Sequence, residues 1–365
     1  MKNRSRRILS FLLVLLMLVT AGCSQQEEPA AEPTAEPTAE PTQEAVEETN
    51  EPGVDPAVEY KYRDVICDLS LTEGSFACYF FRSNYLRPKP TGVTTSGDAT
   101  LLIAPDGTTM LIDTNLTPVT ARVVDYLQRM GIDKLDYLML SHSDVDHYGG
   151  YEALFAYIEV GHLLISDSPD WFNTSNKAGR CVAKAIELGI PYTILKAGDT
   201  LDFGGVTMDT LWPVEDYVWS TSDGTSAAMI NGGSLVVKFT YQDSSFLFGG
   251  DLYVAQEDKV IDLYGEKVQA DVVKMNHHGL KTSNSERWID ATAPKLLCGM
   301  VSTIKEEEVL LRYMFREIPF TYSILDGTCV VYTTGDGVYE VQVEKERENN
   351  YFGNLNTVDG HFVVE

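Results

Sequence analysis

The chain has 365 residues, with 54 acidic and 28 basic side chains and a formal net charge of −26 at pH 7. The first 60 residues contain 11 acidic and 4 basic residues, which leaves the rest with 43 acidic and 24 basic residues, a balance of −19. Such a surface repels polyanions at long range, and no cluster of lysine and arginine offers a local basic groove for nucleic acid.

The N-terminal segment has the pattern of an export signal. Basic residues at positions 2, 4, 6 and 7 precede an apolar run, Leu9–Val19, which is too short for an ordinary membrane span. The run ends at Thr20-Ala21-Gly22-Cys23 and resembles a bacterial lipoprotein signal. That resemblance implies cleavage after residue 22, a lipid on Cys23 and an extracytoplasmic protein anchored to the cell membrane. Ordinary cleavage with release and an uncleaved anchor are the alternatives.

The segment that follows Cys23 is predicted to be a disordered tether. Its Glu-, Pro- and Thr-rich repeats have no apolar period, so they cannot bury enough surface to offset the entropy of ordering. Prolines favour an extended chain of about 3.1 Å per residue. We therefore expect a signal at residues 1–22, a lipidated cysteine and tether at residues 23–60, and one folded domain at residues 61–365.

Short apolar runs alternate with helical patterns along the predicted domain. Strands are predicted at residues 76–81, 99–104, 109–112, 135–140, 160–166, 192–195, 206–211, 235–241, 245–248, 271–275, 295–298, 328–333 and 338–343. Helices are predicted near residues 117–130, 151–157, 178–188, 254–263, 285–291 and 306–316. Mixed hairpins and crossover helices indicate an α/β fold with two sheets and helices outside them. The five cysteines of this part lack CxxC spacing, which favours buried thiols over a zinc knuckle.

Polar, metal-binding residue types follow three of the predicted strands. His142-Ser143-Asp144-Val145-Asp146-His147 follows one strand, Asp251 a second and His277-His278-Gly279 a third. Crowded carboxylates and imidazoles waste desolvation energy at buried strand ends unless a cation lies among them. Neutral histidine and ionised aspartate are good ligands for zinc, manganese or iron. Paired ions of this kind activate water and stabilise the entering and leaving oxygens of a displacement.

The first motif resembles the His-x-[His/Asp/Glu]-x-Asp-His signature of the metallo-β-lactamase superfamily. More narrowly, the chain is similar to the hydrolase domain of the ComEC-type competence proteins and their free-standing secreted relatives. The matching segments occur in order at residues 97–99, 111–114, 140–150, 231–236, 246–251 and 274–283. The resemblance implies a four-layer αββα sandwich and a metallohydrolase with two divalent ions, either zinc or, as alternatives, manganese or iron.

The resemblance also implies a role for individual residues. His142 and Asp144 bind the first metal, Asp146 and His147 bind the second, Asp251 bridges the two, and one histidine of the pair, taken to be His277, closes the second site. Asp113 orients a ligand histidine. His278, Lys281, Thr282 and Ser283 face the substrate, with catalytic roles for Asp146, His278 and Lys281, while water, Asn231 or Ser234 completes the first metal site.

The chain departs from the family pattern in three places. Many relatives have a third histidine on the first metal, but the candidate here, His162, lies in an apolar strand pattern and is interpreted as structural. Val301–Lys305 replaces a Gly-His-Pro common in relatives, and Asn84–Thr95 is interpreted as an inserted loop beside the site. The tryptophans at positions 171, 212 and 219 are interpreted as packing residues.

Hydrolysis of a phosphoester is the favoured function, by phosphodiesterase, phosphatase or nuclease-like action. The resemblance points there, and Lys281 with the neighbouring hydroxyls can hold an anion. The balance of −19 makes a small phosphoester as good a candidate substrate as an oligonucleotide. Two alternatives stay open: a lactam, lactone or thioester hydrolase of the same superfamily, and a non-catalytic surface-binding lipoprotein with a weak metal site. No protein partner is predicted.

Overall fold

The computed structural model describes residues 60–83, 97–219, 226–347, 355 and 357–365. The predicted signal, Cys23, the tether up to residue 59 and the loop predicted at Asn84–Thr95 lie outside these residues. Within the described ranges, no helix combines the length and the hydrophobicity that crossing a membrane requires. The five cysteines in these ranges are free thiols, four of them buried.

The described residues form two β-sheets. Their strands are β1 Phe76–Phe80, β2 Thr100–Ile103, β3 Thr109–Ile112, β4 Lys134–Met139, β5 Glu159–Ile165, β6 Tyr192–Ile194, β7 Thr200–Phe203, β8 Val206–Trp212, β9 Val236–Tyr241, β10 Ser244–Phe248, β11 Val272–Lys274, β12 Leu296–Gly299, β13 Phe320–Tyr322, β14 Cys329–Thr333, β15 Tyr339–Val343 and β16 His361–Val364. The first sheet has the order β16-β15-β14-β1-β2-β3-β4-β5-β6. The second has the order β13-β12-β11-β10-β9-β8-β7.

The described residues form ten helices, and the longer ones pack against the outer faces of the two sheets. They are α1 Arg63–Cys67, α2 Thr117–Arg129, α3 Val145–Tyr148, α4 Tyr151–Tyr157, α5 Lys177–Glu187, α6 Ala227–Gly232, α7 Val254–Tyr264, α8 Glu286–Thr292, α9 Glu307–Met314 and α10 Ser323–Asp326. Short 3₁₀ turns cover Leu69–Thr72, Pro169–Phe172, Gly265–Val268 and Asn276–Gly279.

Three apolar layers separate the four layers of secondary structure. Strand β1 shows how they arise, because side chains alternate across a strand. Ala77 and Tyr79 face helices α2, α4 and α5 in one core cluster. Phe76 and Phe80 face the second sheet, and the Phe76 ring lies 5.0 Å from that of Phe246. A third cluster joins the second sheet to helices α7, α8 and α9. The predicted αββα sandwich is therefore confirmed.

Most predicted elements are present within one or two residues of their predicted bounds. The hairpin at Asp106-Gly107 pairs β2 with β3 in antiparallel register, and Gly107 supplies the positive φ of 92° that this turn requires. Three short strands were not predicted, namely β7, β13 and β16, and neither were the four short helices α1, α3, α6 and α10. Strands of three or four residues give too little alternation to stand out from loops.

Candidate metal centre

The candidate site lies where strands of both sheets end. β3 and β4 are parallel neighbours in the first sheet, and β10 and β11 are parallel neighbours in the second. Because parallel strands end at the same edge, the residues that follow them are brought together. The two edges are joined by a hydrogen bond from the Leu235 amide to the Ser141 carbonyl, 2.8 Å long.

Four of the predicted residues form a compact cluster. Asp146, His147, Asp251 and His278 each offer a ligand atom, and these four atoms lie within 4.8 Å of one another. Nε2 of His147 lies 3.2 Å from Oδ2 of Asp251, and Nε2 of His278 lies 3.3 Å from the same oxygen. Nε2 of His278 is also 3.5 Å from Oδ2 of Asp146. We call this cluster the inner site.

The buried nitrogens of this region fit a divalent cation. Among the described residues, Nε2 of His142, His147 and His278 are buried without a hydrogen-bond partner, and so is Oδ1 of Asp251. Buried polar atoms are nearly always satisfied, and an exception calls for a water, an ion or a functional role. Imidazole nitrogens and carboxylate oxygens are donors that suit zinc, manganese or iron. The residues present therefore fit the metal that the sequence motifs predict.

Two buried aspartates orient the histidines of the inner site. Oδ2 of Asp113 lies 2.8 Å from Nδ1 of His147, and Asp113 also accepts hydrogen bonds from the amide and hydroxyl of Ser141. Oδ1 of Asp98 lies 3.2 Å from Nδ1 of His278. Asp113 accepts from Nδ1–H of His147, whereas Nδ1 of His278 lies beside Asp98 and 3.3 Å from the Met300 carbonyl. Nε2 of each ring consequently faces Asp251. The orienting role of Asp113 stays a prediction, and Asp98 had no role assigned from the sequence.

His142 and Asp144 lie beside this cluster, in what we call the outer site, and the His142 ring centroid is 4.1 Å from that of His147. Nε2 of His142 is 4.0 Å from Oδ2 of Asp251, and the His142 side chain is fully buried. With its amide oriented to satisfy its neighbours, Asn231 donates to Oδ2 of Asp144 at 2.7 Å. The hydroxyl of Ser234 accepts from the Asp251 amide at 3.1 Å. Asn231 and Ser234 therefore support the outer site and the bridging position respectively.

The two adjacent histidines occupy different positions. His277 and His278 both have positive φ, 46° and 52°, which turns the chain sharply and sends their rings in different directions. His278 belongs to the inner site, the position that the sequence analysis gave to His277. Nε2 of His277 lies 3.6 Å from Oδ2 of Asp251, its Nδ1 lies 2.6 Å from the Thr282 hydroxyl, and its ring stacks on Tyr253. The geometry thus exchanges the two predicted positions.

The remaining predicted residues are less closely connected to the cluster. Lys281 is 65% exposed, and its ammonium lies 3.7 Å from Glu306. Ser283 is completely buried, so its hydroxyl is withdrawn from any substrate that arrives from solvent. His162 bonds to the Thr193 hydroxyl at 2.8 Å, in line with a structural role. Trp171, Trp212 and Trp219 are buried packing residues, as the sequence analysis interpreted them.

Burial and opposite charges together set the protonation of the cluster. Burial raises the pKa of Asp251, but His147 and His278 outweigh it and hold that pKa well below its usual range. Burial lowers the pKa of His142 to about 3, so this imidazole is neutral at pH 7. Burial also raises the pKa of Asp144 to about 6. Burial would lower the pKa of His147 and His278, but Asp251 and the other aspartates beside these rings raise it well above its ordinary value. Metal binding at the inner site therefore has to displace a proton from each of these imidazoles, whereas neutral His142 and a largely ionised Asp144 are already in the forms that bind metal.

Sequence comparison assigns the chain to a family. The family model described as "Metallo-beta-lactamase superfamily" matches residues 94–297, which include most of the residues of both sites. The chain belongs to the metallo-beta-lactamase superfamily. Members of this family are metallohydrolases, and the chain is an enzyme of that class. This assignment agrees with the resemblance and with the two-sheet architecture.

Individual relatives agree with the narrower resemblance. The chain is 31% identical over 173 residues to ComE operon protein 3 of Bacillus subtilis (strain 168), a match that covers 47% of this chain and 21% of that protein. It is 26% identical over 187 residues to competence protein ComA of Neisseria gonorrhoeae, covering 51% of this chain and 23% of that protein. The matched part is thus less than a quarter of either relative. The crystal structure of the metallo-beta-lactamase fold protein YhfI from Bacillus subtilis is similar at 13% identity and a TM-score of 0.42, covering 68% of this chain and 95% of that one.

Three residues of the site had no role in the sequence analysis. Asp98 precedes β2 and Lys274 ends β11, and each lies in a segment that carried the family resemblance. Glu257 lies in the first turn of helix α7, and its buried carboxylate accepts from the side chain of Asn276 and the amides of Asn284 and Ser285. A lone charged residue in an otherwise apolar strand was the signal available for Lys274.

Proposed function

We propose that the protein hydrolyses phosphoesters with two divalent metal ions, held by the inner and outer sites. The convergence of three buried, unpartnered imidazole nitrogens on Asp251 carries this proposal. In it, Asp146, His147 and His278 hold the second metal, His142 and Asp144 hold the first, and Asp251 contributes to both. Bound divalent ions supply Lewis acidity and activate water at neutral pH.

Other residues of the chain orient the metal ligands and meet the substrate. Asp113 fixes the ring of His147, and the Met300 carbonyl together with the nearby Asp98 carboxylate positions the ring of His278, which preorganises the inner site. His277 has a partly exposed ring at the rim, 3.6 Å from Asp251, and is therefore the imidazole best placed to meet a substrate or to complete the first metal site. Tyr253 and Thr282 hold that ring in place. Zinc is the first choice of metal, with manganese or iron as alternatives.

A small phosphoester is the substrate class that the electrostatics favour. Lys281 is close to Glu306, so its charge is partly neutralised and contributes little to a grip on a polyanion. The balance of −19 over residues 61–365 repels long polyanions in addition. The negative charge of the phosphate therefore has to be neutralised mainly by the bound metal ions. A monoester, a diester or the end of a short oligonucleotide can reach them.

We also propose that the enzyme acts outside the cytoplasm, anchored to the membrane by a lipid on Cys23. The pattern Thr20-Ala21-Gly22-Cys23 after a short apolar run supports this location, and the Glu- and Pro-rich segment up to residue 60 supports a tether. Metabolic labelling with a radioactive fatty acid tests it. We expect the label to be incorporated into the wild type and not into Cys23→Ser. Equal incorporation into both proteins would contradict a lipid anchor on Cys23.

A substrate panel tests the activity. The full-length protein, purified in detergent and loaded with zinc or manganese, is assayed with aryl phosphomonoesters and diesters, short oligonucleotides, a chromogenic lactam and a lactone. Cleavage of a phosphoester is expected, with loss of activity in His147→Ala and full activity in His162→Ala, a histidine away from the site. Cleavage of the lactam or lactone alone, or no cleavage by a metal-loaded protein, would overturn the substrate assignment.

A further inference from the structure

A lysine is buried at the centre of this site. Lys274 is the last residue of β11, after Val272 and Val273, and its side chain is 2% exposed. The ammonium donates to the Gly250 carbonyl at 3.0 Å, forms an ion pair with Asp98 and lies 3.9 Å from Oδ1 of Asp251. It therefore contacts one carboxylate that orients a histidine of the inner site and lies close to the carboxylate shared by both sites.

The ammonium is retained in its charged form despite the cost of burial. Moving an ammonium from water into a protein interior is unfavourable unless opposite charges and hydrogen bonds compensate. Burial alone would lower the pKa of Lys274, but Asp98 and Asp251 raise it above its ordinary value. An apolar side chain would fill the same space without this cost. The charge itself therefore calls for an explanation.

We propose that Lys274 is an internal counter-ion of the metal centre, a fixed cation that holds Asp98 and Asp251 in place before metal binds. The inference rests on the proposed metal sites and adds to them a residue that is not a ligand. Lys274 is also a positioning residue for His278, because it forms an ion pair with Asp98 and Asp98 lies beside Nδ1 of that ring. The site is then assembled in the metal-free protein, which has to acquire its ions after folding.

Removing either partner of the Lys274–Asp98 pair has opposite consequences for metal. Without the ammonium, Asp98 and Asp251 lose a cation, so the metal-free protein is destabilised while the site becomes more negative and still attracts metal. Without the Asp98 carboxylate, the ammonium is left unbalanced beside Asp251 and repels a dication, and His278 loses the negative charge 3.2 Å from its Nδ1. If Lys274 and Asp98 served packing alone, replacing either one would not change metal affinity in opposite directions.

The test compares three variants of the full-length protein, purified in detergent. Lys274→Met keeps the length of the side chain and removes its charge, and Asp98→Asn keeps the shape of the aspartate. Lys238→Met is the control, because Lys238 is a half-buried lysine on β9 of the same sheet whose ammonium donates to the Lys267 carbonyl. The melting temperature is measured with chelator and with saturating zinc, and zinc affinity is measured by competition with a chromogenic chelator.

We expect Lys274→Met to melt about 5 to 10 °C below wild type in chelator and to recover most of that difference with zinc. Its zinc affinity is expected to equal or exceed that of wild type, while Asp98→Asn loses roughly tenfold or more. Lys238→Met should show the same zinc-induced shift as wild type. If Lys274→Met folds only in the presence of zinc, that outcome also supports the proposal.

Equal destabilisation of Lys274→Met with and without zinc would overturn the proposal, as would a loss of zinc affinity similar to that of Asp98→Asn. Failure of Lys274→Met to fold in either condition also counts against it, because metal should replace the missing cation. If wild type itself binds no zinc, manganese or iron, the proposed metal sites are rejected, and the counter-ion role is rejected with them. The two failures are therefore distinguishable.

Discussion

Oδ2 of Asp113 lies 2.8 Å from Nδ1 of His147, and both side chains are buried. The pair fixes which imidazole nitrogen carries the proton and which one faces Asp251. Asp113 itself has a positive φ of 62°, a conformation that non-glycine residues rarely adopt, so the backbone is bent to bring this carboxylate beneath the ring. This backbone turn and the hydrogen bonds from Ser141 together fix the position of the carboxylate.

Replacing Asp113 with asparagine should weaken metal binding without abolishing the fold. The amide keeps the size of the carboxylate but holds Nδ1–H less strongly, and we expect affinity at the inner site to fall roughly tenfold to a hundredfold. Competition with a chromogenic chelator measures this. Asp125→Asn, on the exposed face of helix α2, is the control. Unchanged affinity in Asp113→Asn would show that the contact does not orient His147.

His277 and His278 should differ when each is replaced by alanine. Because His278 lies in the inner site and His277 at the rim, His278→Ala should lose about one equivalent of tightly bound metal. His277→Ala should keep that equivalent and lose catalytic rate or the more weakly held ion. Elemental analysis after gel filtration distinguishes them. Loss of the tight ion in His277→Ala, with retention in His278→Ala, would restore the assignment made from the sequence.

Metal binding at the outer site should weaken as the pH falls below about 6. Burial raises the pKa of Asp144 to about 6, so a proton competes with metal for this carboxylate below that pH and not above it. Zinc titrations between pH 5 and 8 measure the effect. Asp144→Asn removes the titrating group, and its outer-site affinity should be lower and should lack this step. A wild-type profile identical in shape to that of Asp144→Asn would reject the assignment.

Glu257→Gln should loosen the segment that carries the two histidines. The carboxylate accepts from the Asn284 and Ser285 amides at 2.6 and 2.9 Å, and an amide replacement turns one acceptor into a donor. We expect a loss of about 1–3 kcal/mol in the free energy of unfolding, measured in denaturant with chelator present. Asp258→Asn, the exposed neighbour on the same helix, should change it by less than about 0.5 kcal/mol.

The sequence was most informative where ligands follow a buried strand within a few residues. His142, Asp146 and His147 could be identified because strand β4 ends just before them, and Asp251 because β10 ends just before it. The sandwich followed from the same pattern of apolar runs together with the family resemblance. These features are local along the chain, so one sequence suffices to detect them.

Features that depend on spatial neighbours could not be predicted in this way. Asp98 and Lys274 are 176 positions apart, and their pairing is produced by the meeting of the two sheets. His277 and His278 are adjacent, so no spacing rule separates their roles. Their contacts do, because His278 joins the inner site while His277 packs on Tyr253 and Thr282. The burial of Ser283 likewise depends on how Asn284 is held by Glu257 and Asn276, which a sequence motif does not specify.

Every role proposed above for the site depends on divalent metal bound by His142, His147, His278 and the carboxylates of Asp144, Asp146 and Asp251. Equilibrium dialysis of the full-length protein against zinc and manganese, followed by elemental analysis, tests it most directly. We expect two equivalents of one of these metals in wild type, and no tightly bound metal when His147 and His278 are both replaced by alanine. A wild type that retains no metal, or a double variant that retains as much as wild type, would contradict it.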